Sequence, residues 1–235
     1  MAEFTPNNAG AVALAFLGTG MLLGLLGLAF IWVLASGRRA LAVRLFTAGA
    51  VVAGVYAGAL LTFSLGSEDK TLAAGELKYF CEIDCHTAYT VSSVQAAKTL
   101  GEGAAQSTAE GTFFVVTVRT WFDGETISSR RPEGMPLRPN WRVVRVVDDA
   151  GRQYATSLAG QKAIVAHNVP LTQELLPGES YDSVLVFDLP ADARNPRLLL
   201  ADWDPVTMLL IGHENSFLHK KIYFQLESGT LASGR

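Results

Sequence analysis

The sequence predicts a two-helix membrane hairpin followed by an all-β antiparallel sandwich, and three observations carry that prediction. Between Glu3 and Arg38 lie 34 residues without a charge. After Arg38, Arg39 and Arg44 comes a second uncharged run, from Leu45 to Ser67. Beyond Glu68 the pattern changes to short stretches that alternate with a period of two and are separated by glycine and proline turns, as in a sandwich.

The helices come first. Each uncharged run exceeds the roughly 20 apolar residues that cross about 30 Å of hydrocarbon, which places spans near residues 10–35 and 40–65 and makes residues 1–66 a membrane anchor. A cleaved secretory signal is the rival for the first run. It fits poorly, because MAEFTPNN carries no lysine or arginine and the apolar stretch is too long. The connector SGRRALAVR holds Arg38, Arg39 and Arg44 in a short loop, so the positive-inside rule keeps that loop cytoplasmic and sends both termini to the other side. Arg44 lies inside the second span, where its long stem can carry the guanidinium back to the interface as an anchor.

Gly20 with Gly24 and Gly54 with Gly58 form two small-xxx-small pairs. Such spacing bares a strip of backbone that can pack against the other helix of the hairpin or against a partner helix. Thr19, Thr47, Tyr56 and Thr62 are among the few polar residues of the spans, and two helices do not enclose a pore, so transport is not expected.

The remaining 168 residues, 68–235, can bury a core of their own, so residues 67–235 are read as one exported domain. LKYFCEI and TAYTVSSV are strand-like, and GTFFVVTVRTWF (Gly111 to Phe122) alternates cleanly. NWRVVRVV is joined by the turn Asp148-Asp149-Ala150-Gly151 to RQYATS, which reads as a β-hairpin. Leu176-Pro177-Gly178-Glu179 turns the chain into YDSVLVFDL, and PRLLLA and KKIYFQL supply two more strands. The one helical signal after residue 67 is a short turn around Leu171 to Leu175. The whole-chain net charge of −3 says little, but the lack of a basic patch sets nucleic acid aside as a partner class.

The order GTFFVVTVRTWF, then VVRVVDDAGRQYATS, then LLPGESYDSVLVFDLPADARNPRLLL resembles the telokin-like, immunoglobulin-like extracellular domains of bacterial exported proteins, over about residues 111–201. The resemblance implies an immunoglobulin-like sandwich on the periplasmic side of a bacterial inner membrane, with no reaction attached. The chain departs from that family in its two-helix anchor and in an added cysteine cluster.

That cluster, Cys81-Glu82-Ile83-Asp84-Cys85-His86, is the chemical hot spot of the sequence. On one strand the two cysteines would stand about 13 Å apart, too far for a disulfide, whereas a tight turn brings residues four apart to about 6 Å, within reach. The same thiols with His86 could hold copper or zinc. The spacing resembles a c-type haem attachment site, with three residues between the cysteines in place of two. The topology is similar to that of cytochrome oxidase subunit II, whose binuclear copper site also has cysteines four apart, but here the histidine follows at once and the motif opens the domain. His213 and His219 are the additional donors a metal would need. Glu82 and Asp84 read as solvated carboxylates.

No nucleophile elbow and no glycine-rich loop leading into a helix is present, so no enzyme is expected. Trp121, Trp141 and Trp203 read as core or edge fillers, with Trp141 a possible docking residue. The expectation is a non-catalytic accessory or scaffold subunit without a cofactor, binding integral membrane proteins of a larger assembly such as a respiratory or photosynthetic electron-transfer complex. The alternative is a copper or haem c electron-transfer protein using Cys81, Cys85 and His86.

Overall fold

A computed structural model describes residues 9–82, 85–164 and 168–227 of the chain. Helix α1 spans Ala9–Ala35 and α2 spans Arg39–Leu65, within a residue of the two expected spans. Gly37 makes the turn between them with φ 72°, a left-handed conformation that glycine adopts without a Cβ clash. The two helices meet along a seam in which the less exposed residues of α1 (Val12, Phe16, Thr19, Leu23, Leu26, Phe30, Val33) are spaced alternately four and three apart. On α2 the series Ala42, Leu45, Gly49, Val52, Tyr56, Ala59 and Phe63 repeats that spacing, the 3.5-residue period of left-handed helix packing. Phe30 and Phe46 meet near the turn, with ring centroids 6.1 Å apart. Ser36, Thr47 and Thr62 each donate to the carbonyl four residues earlier, so their hydroxyls are satisfied within their own helix.

The β-rich part contains β1 (Lys70–Leu72), β2 (Lys78–Cys81), β3 (His86–Leu100), β4 (Ser107–Asp123), β5 (Arg142–Val147), β6 (Gln153–Tyr154), β7 (Ser180–Leu189), β8 (Arg197–Asp202) and β9 (Ile222–Gln225). They form two sheets, ordered β1-β9-β8-β5-β6 and β2-β3-β4-β7. One core joins them: Phe80, Tyr89, Val91, Val116, Val118, Phe187 and Leu189 from the second sheet meet Leu72, Val146, Leu198, Leu200 and Phe224 from the first. The alternation read from GTFFVVTVRTWF is the reason. Phe114, Val116 and Val118 of β4 alternate into that core, whereas Ala109 and Phe113, on the other face, pack with Val186.

All pairings are antiparallel except one, since β1 runs parallel to β9. The expected helical turn at Leu171 to Leu175 is instead a turn ending in a bridge between Leu137 and Leu175. A helix that the strand reading passed over, α3 (Leu158–Ile164), follows Ser157, whose hydroxyl accepts from the Gly160 N–H at 3.2 Å as an N-cap. Gly160 is required there, because a Cβ would come within 2.5 Å of Val186 Cγ1 and 3.1 Å of Phe113.

The chain divides into two compact units, Met1–Glu68 with Asp204–Lys221, and Asp69–Trp203 with Ile222–Arg235. The boundary expected from the sequence lies between residues 66 and 67, with residues 67–235 as one domain; here residues 204–221 group with the helices.

Candidate functional site

The inward face of β2 is unusual for a sandwich core. Successive inward positions are Lys78, Phe80 and Glu82, all buried. Glu82 forms an ion pair with Arg142 Nη2, accepts from the Thr87 hydroxyl at 3.0 Å and receives the Asn140 N–H at 3.3 Å. Arg142, the first residue of β5, also bonds Asp202, its partner on β8, at 2.5 Å. The side chains of Arg142 and Glu82 are 0% and 2% exposed, so the pair ties the two sheets together out of contact with water. The guanidinium carbon stands 4.2 Å from the centroid of Phe80 and 5.5 Å from that of Tyr89, and the two rings meet edge to face at 5.3 Å. The ammonium of Lys78 lies 5.1 Å from the same Phe80 ring and donates to the carbonyls of Leu200 and Ile222, at 2.5 and 3.1 Å.

Burial pushes the Glu82 carboxyl above its ordinary range, against the pull of Arg142, Thr87 and the Asn140 N–H. For Arg142, burial opposes the charge, but Tyr89, Glu82 and Asp202 outweigh it and the guanidinium stays protonated. Glu82 is thus a core residue, not the solvated carboxylate expected from the sequence. The missed signal is parity: Glu82 shares the inward face with Phe80, two residues back, and a carboxylate at an inward strand position needs a cation.

The cysteines lie at the same hairpin. Cys81 pairs with His86 across β2 and β3, and the Glu82 N–H donates to the Cys85 carbonyl at 2.9 Å. Register separates the thiols. Cross-strand partners share a face and successive residues alternate, which puts Cys81 with His86 on one face and Cys85 with Glu82 on the other. In this structure the two sulfur atoms are not bonded to one another, with Cys81 partly exposed and Cys85 buried. Cys85 packs with Phe122, Leu137 and Leu175, beside Tyr181, whose phenol burial pushes up to about 12. Thiol titration of the denatured, non-reduced chain is expected to count 2 thiols; a count of zero would show that the hairpin can rotate its side chains into a bridge.

His86 stands in register between Cys81 and Asp123 of β4, half-buried, and burial pushes its imidazole below the ordinary value, with Asp123 opposing. Asp123 is engaged as the cap of the next turn, accepting from the Glu125 N–H at 3.0 Å. Ile83 and Asp84 lie outside the described residues. His213 and His219 belong to the other unit, where Nδ1 of His213 accepts from the Asn215 N–H at 3.0 Å and Nδ1 of His219 lies 2.7 Å from the Lys220 carbonyl. Among the described residues no three histidine, cysteine or acidic side chains converge as a metal site. Copper, zinc and haem would each need ligands beyond the one-face pair of Cys81 and His86.

No protein-family model and no curated protein matches this chain. Three solved structures are similar to it in fold. The secreted protein MPT63 of Mycobacterium tuberculosis shares 11% identity over 68% of this chain and 97% of its own, with a TM-score of 0.41. A conserved hypothetical protein of Bacillus anthracis shares 16% over 64% and 92%, with a TM-score of 0.39. A β-sandwich protein of Clostridium difficile shares 10% over 68% and 96%, with a TM-score of 0.37.

The remaining predicted residues are spread over both units. Arg38, Arg39 and Arg44 are exposed at the turn end of the helix pair. Gly20, Gly24, Gly54 and Gly58 lie off the helix seam, and a Cβ added at any of them meets nothing within 4 Å. Trp141 and Trp203, sequence neighbours of the paired Arg142 and Asp202, are 75% and 70% exposed, so they are surface residues and not the core or edge fillers expected. Chemically, the Arg142 cluster is closed to water and to substrate, and what it does is fix the two sheets.

Proposed function

We propose that the protein is a membrane-anchored, non-catalytic accessory subunit whose immunoglobulin-like sandwich, held on the extracytoplasmic side of a bacterial inner membrane, binds or braces partner proteins of a larger membrane assembly, with a respiratory or photosynthetic electron-transfer complex the expected class. The observation that carries the reading is the position of the glycines. The α1 and α2 seam leaves both small-xxx-small strips facing outward with open space around them, so their close-packing capacity is not used within the hairpin. Both helices are long and apolar enough to span a membrane. Exposed Trp141 and Trp203 supply aromatic contact surface on the sandwich, and aromatic anchors are enriched at protein interfaces.

Gly54→Leu with Gly58→Leu tests this directly, since the open space means neither leucine clashes within the chain. The variant is expected to keep the circular dichroism of the native protein while the yield of co-purifying membrane partner falls about tenfold, the equivalent of roughly 1.4 kcal/mol. Purification of the native chain alone from its own membranes, at native abundance, would sink the reading.

A further inference from the structure

We propose that residues Asp204–Lys221 form a wedge that enters the leaflet at the C-terminal end of α2 and holds Val206, Met208, Leu209, Phe217 and Leu218 against lipid acyl chains. The inference rests on the membrane reading above and adds an element that the hydropathy of the chain does not mark.

Depth is the first argument. The Tyr56 hydroxyl donates to the Leu209 carbonyl at 2.7 Å. Tyr56 stands nine residues before Leu65, the last residue of α2, which is about 14 Å along the helix axis, and a helical side chain leans further toward the N-terminus. A second tether, the Lys220 N–H to the Ser67 hydroxyl at 2.9 Å, holds the other end of the segment just past that helix end. The segment therefore lies along the apolar last turns of a spanning helix.

Its construction is inverted relative to a water-facing loop. His213 and Ser216 are buried, whereas Val206, Met208, Leu209, Phe217 and Leu218 are each about half exposed. Several polar groups are consumed internally: Asp204 caps the Val206 N–H, the Thr207 hydroxyl donates to the Asp204 carbonyl and accepts from the Asn215 amide, and the Ser216 hydroxyl donates to the Leu210 carbonyl. Backbone groups pair too, Phe217 N–H with the Met208 carbonyl and His213 N–H with the Leu210 carbonyl. Irregular backbone at membrane depth must be satisfied in this way. In water the same five side chains would form an exposed apolar patch.

Leu218 is the most telling residue. Its φ of 64° is the left-handed conformation that disfavours residues with a Cβ, yet the side chain is 55% exposed and so is not retained for packing inside the chain. What it gains lies outside the protein. Exposed Lys220 follows at the Ser67 end, placed to reach lipid headgroups, while the Lys221 ammonium is held inside the segment by the Glu214 carbonyl and the Asn215 side chain.

The test uses the full chain in bilayers of phosphatidylethanolamine and phosphatidylglycerol, with Cys81→Ser and Cys85→Ser as background. Spin labels are placed through Leu209→Cys, Phe217→Cys or Leu218→Cys, and through Val51→Cys, an exposed position midway along α2, as reference. Oxygen is expected to collide with the wedge labels more often than an aqueous nickel chelate does, with a ratio within about twofold of that at position 51. Labels in lipid at position 51 but nickel-accessible at 209, 217 and 218 would overturn the proposal. Wedge labels shielded from both reagents would also overturn it, by showing that protein covers the face. Nickel access at position 51 itself would remove the membrane reading and this proposal with it. A second measurement keeps both cysteines: Phe217→Trp should add emission that brominated lipid quenches, and unquenched added emission contradicts the proposal.

Discussion

Arg142→Ala is expected to lower the unfolding free energy of the sandwich by about 3–5 kcal/mol, the cost of stripping one partner from a buried ion pair. Two effects add. Glu82 is left as a carboxylate whose side chain is 2% exposed, holding only the Thr87 hydroxyl and the Asn140 N–H among the bonds described. The Phe80 and Tyr89 rings also lose the guanidinium that packs on both. Against a typical stability of 5–15 kcal/mol, such a loss brings the domain near unfolding. The companion variant separates charge from shape: Glu82→Gln with Arg142→Met should recover most of the loss, because a buried pair replaced by neutral groups of similar volume is often tolerated. Chemical denaturation of all three proteins checks it. A cost below about 1 kcal/mol for Arg142→Ala would mean that water reaches the cluster.

Gly111→Ala is expected to cost about 3 kcal/mol or more, though only a methyl group is added. A Cβ there would stand 1.9 Å from the Leu189 carbonyl oxygen and 2.7 Å from Pro190 Cα, both main-chain atoms that cannot rotate away. The backbone must move, and two bonds then stretch: the N–H groups of Glu110 and Gly111 both donate to the Asp188 carboxylate, at 2.8 and 3.0 Å. Hydrogen bonds to charged groups contribute about 1.5–3 kcal/mol each, so losing part of either adds to the steric cost. Thermal or urea unfolding reads the result. An unchanged midpoint would show that the β4 and β7 crossing is looser than its geometry.

Elements governed by local pattern were legible in the chain. Two uncharged runs became α1 and α2, and strict alternation from Gly111 to Phe122 became the centre of β4. Long-range features were not. Nothing local joins Glu82 to Arg142, 60 residues on and in the opposite sheet, and only the parity of Glu82 with Phe80 hinted that it points inward. The cysteine pair was left open by the sequence for a related reason, since spacing bounds distance but not facing, and facing follows from a register fixed by strand pairing. Residues 204–221 were read into the outer domain because their apolar run, Val206 to Ile211, is too short to signal a membrane. Their attachment depends on Tyr56, 153 residues away from Leu209.

The account depends most on α1 and α2 crossing the bilayer with the arginine turn inside the cell and the sandwich outside. Labelling with a membrane-impermeant maleimide tests it most directly, using Ser36→Cys at the turn and Trp141→Cys on the sandwich, each in the Cys81→Ser, Cys85→Ser background. The account predicts that spheroplasts label position 141 and not position 36, and that inverted vesicles reverse the pattern. Labelling of position 36 from outside, or protection of position 141 until the membrane is opened, would contradict it.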